Sequence, residues 1–439
     1  MTKIVLIGAG SVVFAKTLIA DILSFPGLQQ STLALVDLNA ERLQLIAAYT
    51  RRLIAQQRLP TRLQVTVERR EALPGAGYVI TVIQIGGSRA YELDMEIPRR
   101  YGIDQAVGDT IGPGGVFRGL RSIPALLAIA RDMEELCPEA WLLNYTNPMA
   151  INVWGLYRGS HIRVVGLCHS VQATAAYLAR VMGVPYDKLR YWAAGINHLS
   201  WFLTLRCNGR DMYPTLRRKM REPAIEEPER VRASVLRQFG YFVSESSYHL
   251  SEYLPYYRRT PELIAEYLPI PRDYLAMYKN GLQEQQQAIE AQLASPQPLT
   301  VRRSREYASY IIDSLVTGTP RRFNLNVKNE GLITNLPEGS CVEVPCLVDG
   351  IGVHPCRVGD LPPQCAVLDR DSINVQELAV EAALTGSRRA VRQALSVDPL
   401  TSTLLRPHQA RQMADEMLAA EREWLPQFPE RAAAPQPAP

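Results

Sequence analysis

The first forty residues restrict the fold more than any other part of the chain. A short apolar run at residues 3–7 ends in a Gly-Ala-Gly-Ser turn at 8–11, and an amphipathic helical pattern follows. A second apolar run then closes on Asp37. This order of strand, glycine turn, helix, strand and acid is typical of a βαβ unit that binds a nucleotide.

Further strand-like runs continue this alternation. They occur at residues 78–83, 141–144 and 164–167, with a helical segment at 123–136 between the first two. Strands that alternate with helices predict an α/β fold with a parallel, doubly wound sheet.

The pattern changes after about residue 196, where longer helical stretches such as 271–293 appear, followed by a strand-rich part at 323–347 and a helix at 375–385. We therefore predict a nucleotide-binding domain at 1–195 and a second, α+β domain at 196–428. The Ala/Pro-rich tail at 429–439 is predicted to be disordered.

Composition excludes several classes of protein. Lys and Arg number 48 against 44 Asp and Glu, a bias too small to indicate a nucleic-acid partner. No apolar run reaches the roughly 18 residues of a membrane span, and residues 4–7 are too short for a signal peptide. The seven cysteines are scattered without a CxxC pair, which favours reduced thiols in a cytoplasmic enzyme.

The glycine turn predicts dinucleotide binding, because its backbone can approach a pyrophosphate at a helix N-terminus. The third glycine of the usual pattern is replaced by Val13. Asp37 would accept hydrogen bonds from ribose hydroxyls, which favours NAD over NADP; a turn-capping acid is the alternative. A simple tight turn is the alternative for the second glycine loop, at 86–87. The residues predicted to hold the cofactor are Gly8, Gly10, Ser11, Asp37 and Gly86.

Cys168 and His198 form a candidate metal pair. Cys168 follows a predicted parallel strand, at the sheet edge that faces the ligand crevice in such folds. A thiolate and an imidazole can hold a divalent ion and leave positions for substrate oxygens. A buried cysteine beside an ordinary histidine explains the same residues, and spacing alone leaves both interpretations open.

Eight short motifs, spread over residues 8–337, resemble those of glycoside hydrolase family 4, in its α-galactosidase (melibiase-like) subgroup. They are GAGS at 8–11, GDTIGPGG at 108–115, NYTNPMA at 144–150, GLCHSV at 166–171, AGINH at 194–198, GYFVSESS at 240–247, SREYAS at 304–309 and NLP at 335–337. The resemblance implies a Rossmann-like domain joined to a catalytic domain, as in lactate and malate dehydrogenases. It also implies bound NAD, Mn²⁺ or another divalent metal at Cys168 and His198, and a homodimer or homotetramer.

The resemblance also implies the substrate class, a small molecule with an α-linked sugar. In the family, Cys-His-Ser-Val accompanies α-galactosides, whereas members acting on phosphorylated sugars carry Asp or Asn after the cysteine. His169 therefore argues against a phosphosugar. Relatives that cleave uronic acids keep Cys-His but differ at the next position, so the preference for galactosides over α-glucuronides or α-galacturonides depends on Ser170.

The chemistry implied by the resemblance is hydrolysis without net redox. NAD⁺ takes a hydride from C3 of the sugar, the C3 ketone makes the C2 proton acidic, a base removes it, and the C1 leaving group departs. Water then adds and the hydride returns, while the metal acts as a Lewis acid. The implied roles are Tyr241 as base, His169 as acid, Asp109 in leaving-group protonation or in orienting a metal-bound water, and Asn147 and Arg305 in substrate binding. Ordinary structural alternatives stay open: aromatic packing for Tyr241, support of the metal ligands for His169, a turn for Asp109 and a helix cap for Asn147.

One position departs from the subgroup, which has Glu where this chain has Tyr248. Either Tyr248 acts as the base in place of Tyr241, or the substitution only alters the wall of the pocket. Two other classes of protein remain as alternatives: a NAD-dependent sugar or hydroxy-acid dehydrogenase with the same domain arrangement, and a non-catalytic NAD or sugar sensor. The metal pair argues against the first, and the intact glycine turn and metal ligands argue against the second.

Overall fold

The computed structural model describes residues 2–12, 14–299 and 302–429. Within these residues thirteen strands form one sheet, in the order β10-β8-β7-β12-β11-β6-β5-β4-β1-β2-β3, with β13 beside β12 and β9 beside β8. The strands are β1 Thr2–Ile7, β2 Ser31–Val36, β3 Arg62–Thr66, β4 Tyr78–Thr81, β5 Trp141–Asn144, β6 Arg163–Gly166, β7 Leu189–Ile196, β8 Leu199–Cys207, β9 Arg210–Asp211, β10 Phe242–Val243, β11 Arg321–Lys328, β12 Cys341–Asp349 and β13 Gly352–Pro355.

The six strands from β3 to β6 run parallel. Ile4 of the central strand β1 pairs with Leu33 of β2 and Tyr78 of β4. Residues 4–7 of β1 are buried, as expected where helices cover both faces of a parallel sheet. The order β3-β2-β1-β4-β5-β6 is that of a doubly wound dinucleotide-binding sheet, so the predicted α/β fold is confirmed.

Among the described residues nineteen α-helices surround the sheet, and none of them is both long and apolar enough to span a membrane. They are α1 Ala15–Leu23, α2 Pro26–Gln29, α3 Ala40–Gln56, α4 Arg69–Ala72, α5 Gly87–Arg100, α6 Gly112–Leu136, α7 Met149–Gly159, α8 Ser170–Met182, α9 Tyr213–Lys219, α10 Pro223–Glu226, α11 Arg230–Phe239, α12 Ser247–Tyr253, α13 Pro261–Tyr267, α14 Tyr274–Ala294, α15 Ala308–Thr317, α16 Pro363–Thr385, α17 Arg388–Val397, α18 Thr401–Leu404 and α19 Pro407–Ala420. The helix predicted at 123–136 is the second half of α6, which continues through Pro124.

The second half of the sheet is antiparallel, and the sequence pattern missed its hairpin β7–β8. Strand β8 is largely buried and apolar, so it lacks the alternation that marks a half-exposed strand. The predicted domain boundary after residue 195 falls inside β7, and the division into two domains stays a prediction. Most of the predicted tail, residues 430–439, lies outside the described residues.

Four strands align one residue each in a single row across the middle of the sheet. Gly166 of β6 pairs with Asn326 of β11, which pairs with Glu343 of β12, which pairs with Gly195 of β7. Cys168 lies two residues beyond one end of this row, and His198 lies three beyond the other. The sheet register therefore brings to one edge two residues that are thirty positions apart.

Candidate active site

The glycine turn fits tightly between β2 and β4. The Gly8 N–H donates to the Val36 carbonyl at 2.9 Å, and Gly8 has a left-handed φ of 92°. A Cβ at Gly8 would lie 2.1 Å from the Val82 carbonyl oxygen. The Ser11 N–H donates back to Gly8, closing the turn at 2.9 Å. Position 8 thus requires glycine for the close approach of three chain segments.

Asp37 holds this turn with its carboxylate. One oxygen accepts from the Gly10 N–H at 2.7 Å and the other from the Asn39 N–H at 2.8 Å. The turn-capping interpretation of Asp37 therefore describes its contacts, but a carboxylate accepts more than two hydrogen bonds and retains capacity for ribose hydroxyls. Gly86 has φ of 80° immediately before α5. The roles of these residues toward a cofactor stay predictions, and Val13 lies outside the described residues.

The two residues of the candidate metal pair lie close together. Cys168 Sγ lies 3.2 Å from His198 Nε2. The Tyr307 hydroxyl fixes Cys168 through both its N–H and its carbonyl oxygen, each at 2.8 Å. His198 occupies the turn between β7 and β8 with a left-handed φ of 67°. A non-glycine residue rarely holds this conformation without support from its surroundings, and such strain clusters at functional sites.

Charges around the pair stabilise its ionised forms. Burial alone would raise the pKa of the Cys168 thiol, but His198 and His169 outweigh it and lower that pKa to about 6. Against its own burial, the pKa of His198 is raised by the Cys168 thiolate and Glu245. Glu245, with φ of 76°, lies 3.5 Å from His198 Nε2, and the two histidines His198 and His249 lower its pKa to about 2 despite burial.

The donor atoms fit a divalent ion. A thiolate and an imidazole that bind one zinc ion at about 2.3 and 2.0–2.1 Å have their donor atoms roughly 3.1–3.6 Å apart for angles at the metal of about 90–110°. Sγ of Cys168 and Nε2 of His198, 3.2 Å apart, fall within this range. Across the described residues, no group of three or more His, Cys, Asp and Glu side chains is arranged to hold a metal. The pair would therefore leave coordination positions for oxygen ligands from outside the chain.

A buried cluster of polar side chains lies on the other side of His198. The Tyr253 hydroxyl donates to Thr110 Oγ1 at 2.8 Å and lies 3.5 Å from His198 Nδ1. His249 Nε2 lies 2.9 Å from both Thr110 Oγ1 and His198 Nδ1. All four residues are buried. The Tyr253 hydroxyl therefore bonds to Thr110 and also lies beside one of the two candidate metal ligands, His198.

The tyrosine predicted as base is not brought into this cluster. The Tyr241 ring packs edge-on against Tyr213, 6.0 Å between centroids, and lines a cavity of about 520 Å³ with Arg217. The Tyr248 hydroxyl donates to the Arg272 carbonyl at 2.5 Å. The chain turns after Tyr241 and then forms α12, so the tyrosine that reaches the cluster comes twelve residues later, at the end of that helix.

Asp109 and Asn147 lie together beside the cluster. Asn147 Nδ2 donates to Asp109 Oδ2 at 3.0 Å. The other carboxylate oxygen, Oδ1, is buried without a hydrogen-bond partner among the described residues, and it lies 3.7 Å from His249 Nε2. A buried acceptor without a partner is costly unless a ligand satisfies it.

His169 and Arg305 lie at the outer rim. His169 is half-exposed, with Nδ1 3.3 Å from Glu306 Oε1, and this contact raises the pKa of His169 to about 9. At neutral pH the imidazolium form therefore predominates and carries a proton that can be donated. Arg305 is exposed, and within the described residues it makes no hydrogen bond or ion pair to the other predicted site residues.

The sequence assigned no role to Glu245, His249 or Tyr253. A signal was present: His249, Glu252 and Tyr253 have the spacing i, i+3, i+4, which places them on one face of a helix. Their side chains meet the loop at 106–110 only because α12 packs against it, and no local pattern reports that contact.

Two family models match most of the chain. The first, described as family 4 glycosyl hydrolase, matches residues 3–184, and the second, its C-terminal domain, matches residues 193–401. The chain belongs to family 4 of the glycosyl hydrolases, so the family resemblance inferred from the motifs is confirmed.

Individual relatives agree with this assignment. The α-galactosidase of Bacillus subtilis (strain 168) is 42% identical over 432 residues, which cover 98% of this chain and 100% of the relative. The α-galactosidase of Rhizobium meliloti (strain 1021) is 39% identical, covering 97% of this chain and 89% of the relative. A structure of the 6-phospho-β-glucosidase from Thermotoga maritima with manganese, NAD⁺ and glucose 6-phosphate has a TM-score of 0.81 at 21% identity, covering 96% and 99% of the two chains. This last likeness is one of fold.

Proposed function

We propose that the chain is a glycosidase that hydrolyses α-galactosides with the help of NAD and a divalent metal such as Mn²⁺. The observation that carries the proposal is the Cys168 thiol, 3.2 Å from His198, inside a family 4 chain. The 42% identity to an α-galactosidase over nearly the whole length of both chains supports the substrate class.

Cys168 and His198 would hold the metal, and the turn of Gly8, Gly10 and Ser11 with Asp37 would hold the dinucleotide. When bound, NAD⁺ would take and return the C3 hydride, and the metal would polarise the sugar oxygens as a Lewis acid. The chain itself must then remove a proton from C2 and supply one to the leaving oxygen.

Tyr253 is the proposed base at C2, in place of Tyr241. Burial raises the pKa of Tyr253 well above its usual value near 10, so the phenol of the metal-free protein is a poor base. A cation held at Nε2 of His198 would lie across the imidazole ring from the Tyr253 hydroxyl, which is 3.5 Å from Nδ1, and its positive charge would favour the phenolate across that ring. Thr110 orients the Tyr253 hydroxyl through the 2.8 Å hydrogen bond.

His169 is the proposed acid for the leaving group, since its contact with Glu306 keeps the imidazolium form at neutral pH. Asp109 and Asn147 would bind sugar hydroxyls, because Asp109 Oδ1 is buried and lacks a hydrogen-bond partner among the described residues. Ser170, whose buried Oγ is also without such a partner, would contribute to the choice of galactosides over uronides. Arg305 would orient substrate only if its side chain moved inward.

The proposal extends to assembly and location. The seven cysteines, all among the described residues, are unpaired, which supports a reducing cytoplasmic setting. A homodimer or homotetramer is the proposed assembly, and mass photometry of the purified chain would determine it.

The function is tested with EDTA-stripped protein and p-nitrophenyl α-galactoside, with NAD⁺, Mn²⁺ and a thiol reductant added singly and together. We expect nitrophenol release only with all three additions, and no net NADH. Lasting NADH accumulation without cleavage would identify a dehydrogenase instead. Cleavage of an α-galacturonide or α-glucuronide but not of the galactoside would refute the specificity proposed for Ser170 and keep the reaction type.

A further inference from the structure

Glu252 is a buried carboxylate to which none of the roles above is assigned. It is 2% exposed and lies on α12, three residues after His249. Its Oε1 accepts from the Ala106 and Gly108 N–H groups, each at 2.9 Å, and its Oε2 accepts from the Val107 N–H at 3.0 Å. Three main-chain donors therefore fix the carboxylate in place, directly before Asp109 and Thr110 in the loop.

Glu252 also begins a chain of short contacts that ends at the candidate metal ligands. Its Oε2 lies 2.6 Å from His249 Nδ1, and His249 Nε2 lies 2.9 Å from His198 Nδ1. His198 Nε2 then lies 3.2 Å from Cys168 Sγ. The Glu252 carboxylate and the imidazoles of His249 and His198 are all buried, so water does not compete for these hydrogen bonds.

The order of donors and acceptors along this series of contacts, from Glu252 to Cys168, is constrained. For His198 Nε2 to bind a metal, its lone pair must be free and its proton must lie on Nδ1. That proton needs an acceptor, and His249 Nε2 serves only if His249 carries its own proton on Nδ1. The Glu252 carboxylate favours this tautomer, because Oε2 lies 2.6 Å from His249 Nδ1 and the two oxygens already accept hydrogen bonds from three main-chain N–H groups.

We propose that Glu252 is a positioning residue that acts through His249 to set the tautomer and orientation of His198, and so prepares the metal site. The inference rests on the proposed metal-dependent function. Partners that orient a metal-binding histidine in this way commonly change metal affinity ten- to a hundredfold when they are altered.

The test compares Glu252→Gln with wild-type protein in Mn²⁺ binding, measured without substrate by the EPR signal of free Mn²⁺. Glutamine has nearly the same shape, but its amide can donate to His249 Nδ1 and so favour the wrong tautomer. We expect Mn²⁺ binding to weaken by about ten- to a hundredfold. The matched control is Asp104→Asn, because Asp104 lies on the same loop and pairs with Arg258 at 2.6 Å, outside the cluster.

A second measurement separates positioning from general loss of structure. In His249→Ala, adding Glu252→Gln should cause no further loss of Mn²⁺ affinity, since Glu252 acts through His249. Thermal melting of all variants serves as the check on folding. If wild-type protein binds Mn²⁺ and a folded Glu252→Gln binds it equally well, the inference is overturned. If wild-type protein does not bind Mn²⁺, the proposed function fails instead.

Discussion

The glycine turn after β1 and the pocket around Cys168 lie at the same edge of the sheet but are built differently. The turn and the Asp37 carboxylate that holds it come from one short stretch, residues 8–37, and the turn packs closely against the main chain of Val82, just after β4. The pocket draws on side chains from five separated segments, with two non-glycine residues, His198 and Glu245, in the left-handed region. Residues close together in the sequence specify the turn, whereas the pocket depends on how distant segments pack together.

The largest effect is expected for the proposed base in the pocket. Tyr253→Phe removes only the hydroxyl that contacts Thr110 and His198. Because a positioned base contributes roughly 10²–10⁴-fold, we expect kcat to fall at least about a hundredfold in the nitrophenyl galactoside assay. Tyr241→Phe is the matched control and should stay close to wild type. Loss of activity in Tyr241→Phe with an active Tyr253→Phe would restore the sequence-based assignment.

The glycine turn predicts a difference in stability. Gly8→Ala places a Cβ 2.1 Å from a carbonyl oxygen at a positive φ, whereas Gly183 has φ of 70° but nothing within 4 Å of the added atom. Left-handed strain costs about 1–2 kcal/mol, and overpacking against backbone adds about 1–3 kcal/mol. Urea denaturation should therefore show a clearly larger loss in unfolding free energy for Gly8→Ala than for Gly183→Ala. Equal losses would mean that the turn relaxes and is less tightly specified than the structure indicates.

The Cys168 thiol gives a test by pH. Since its pKa is lowered to about 6 in the metal-free protein, the thiolate predominates at pH 7 and decreases as pH falls through about 6. Iodoacetamide labelling that is lost in Cys168→Ser should follow this curve, and Mn²⁺ should protect the thiol. The buried Cys341 and Cys346, whose pKa values burial raises, should label slowly. A midpoint near the ordinary value of about 8.5 would contradict the ionised pair.

The smallest expected effect concerns Asp37. Asp37→Asn keeps an acceptor for the Gly10 N–H but removes the charge that favours ribose hydroxyls and repels a 2′-phosphate. A hydrogen bond to a charged group contributes about 1.5–3 kcal/mol, so NAD⁺ affinity in a fluorescence titration should fall by about tenfold or more, with a gain for NADP⁺. Unchanged affinity for both dinucleotides would leave Asp37 with its turn-capping role alone.

The parallel half of the sheet and the glycine turn were predictable from sequence, because each follows from apolar runs and the residues that end them. The Cys168–His198 pair was identified through the family motifs, since spacing alone left its role open. The hairpin β7–β8 was not, since β8 is apolar on both faces. Tyr253 was missed because its position depends on how α12 packs against the loop before Thr110. A tyrosine in a family motif identifies a segment, but the direction of its ring is a tertiary property.

The proposed mechanism requires the pocket to remove a proton from C2 of the sugar during hydrolysis. The most direct measurement is hydrolysis of an α-galactoside in D₂O by the fully loaded enzyme, with NMR of the released galactose. We predict deuterium at C2, because the proton lost to Tyr253 is replaced from solvent. Galactose that keeps its C2 hydrogen throughout would contradict the account and indicate direct displacement at C1.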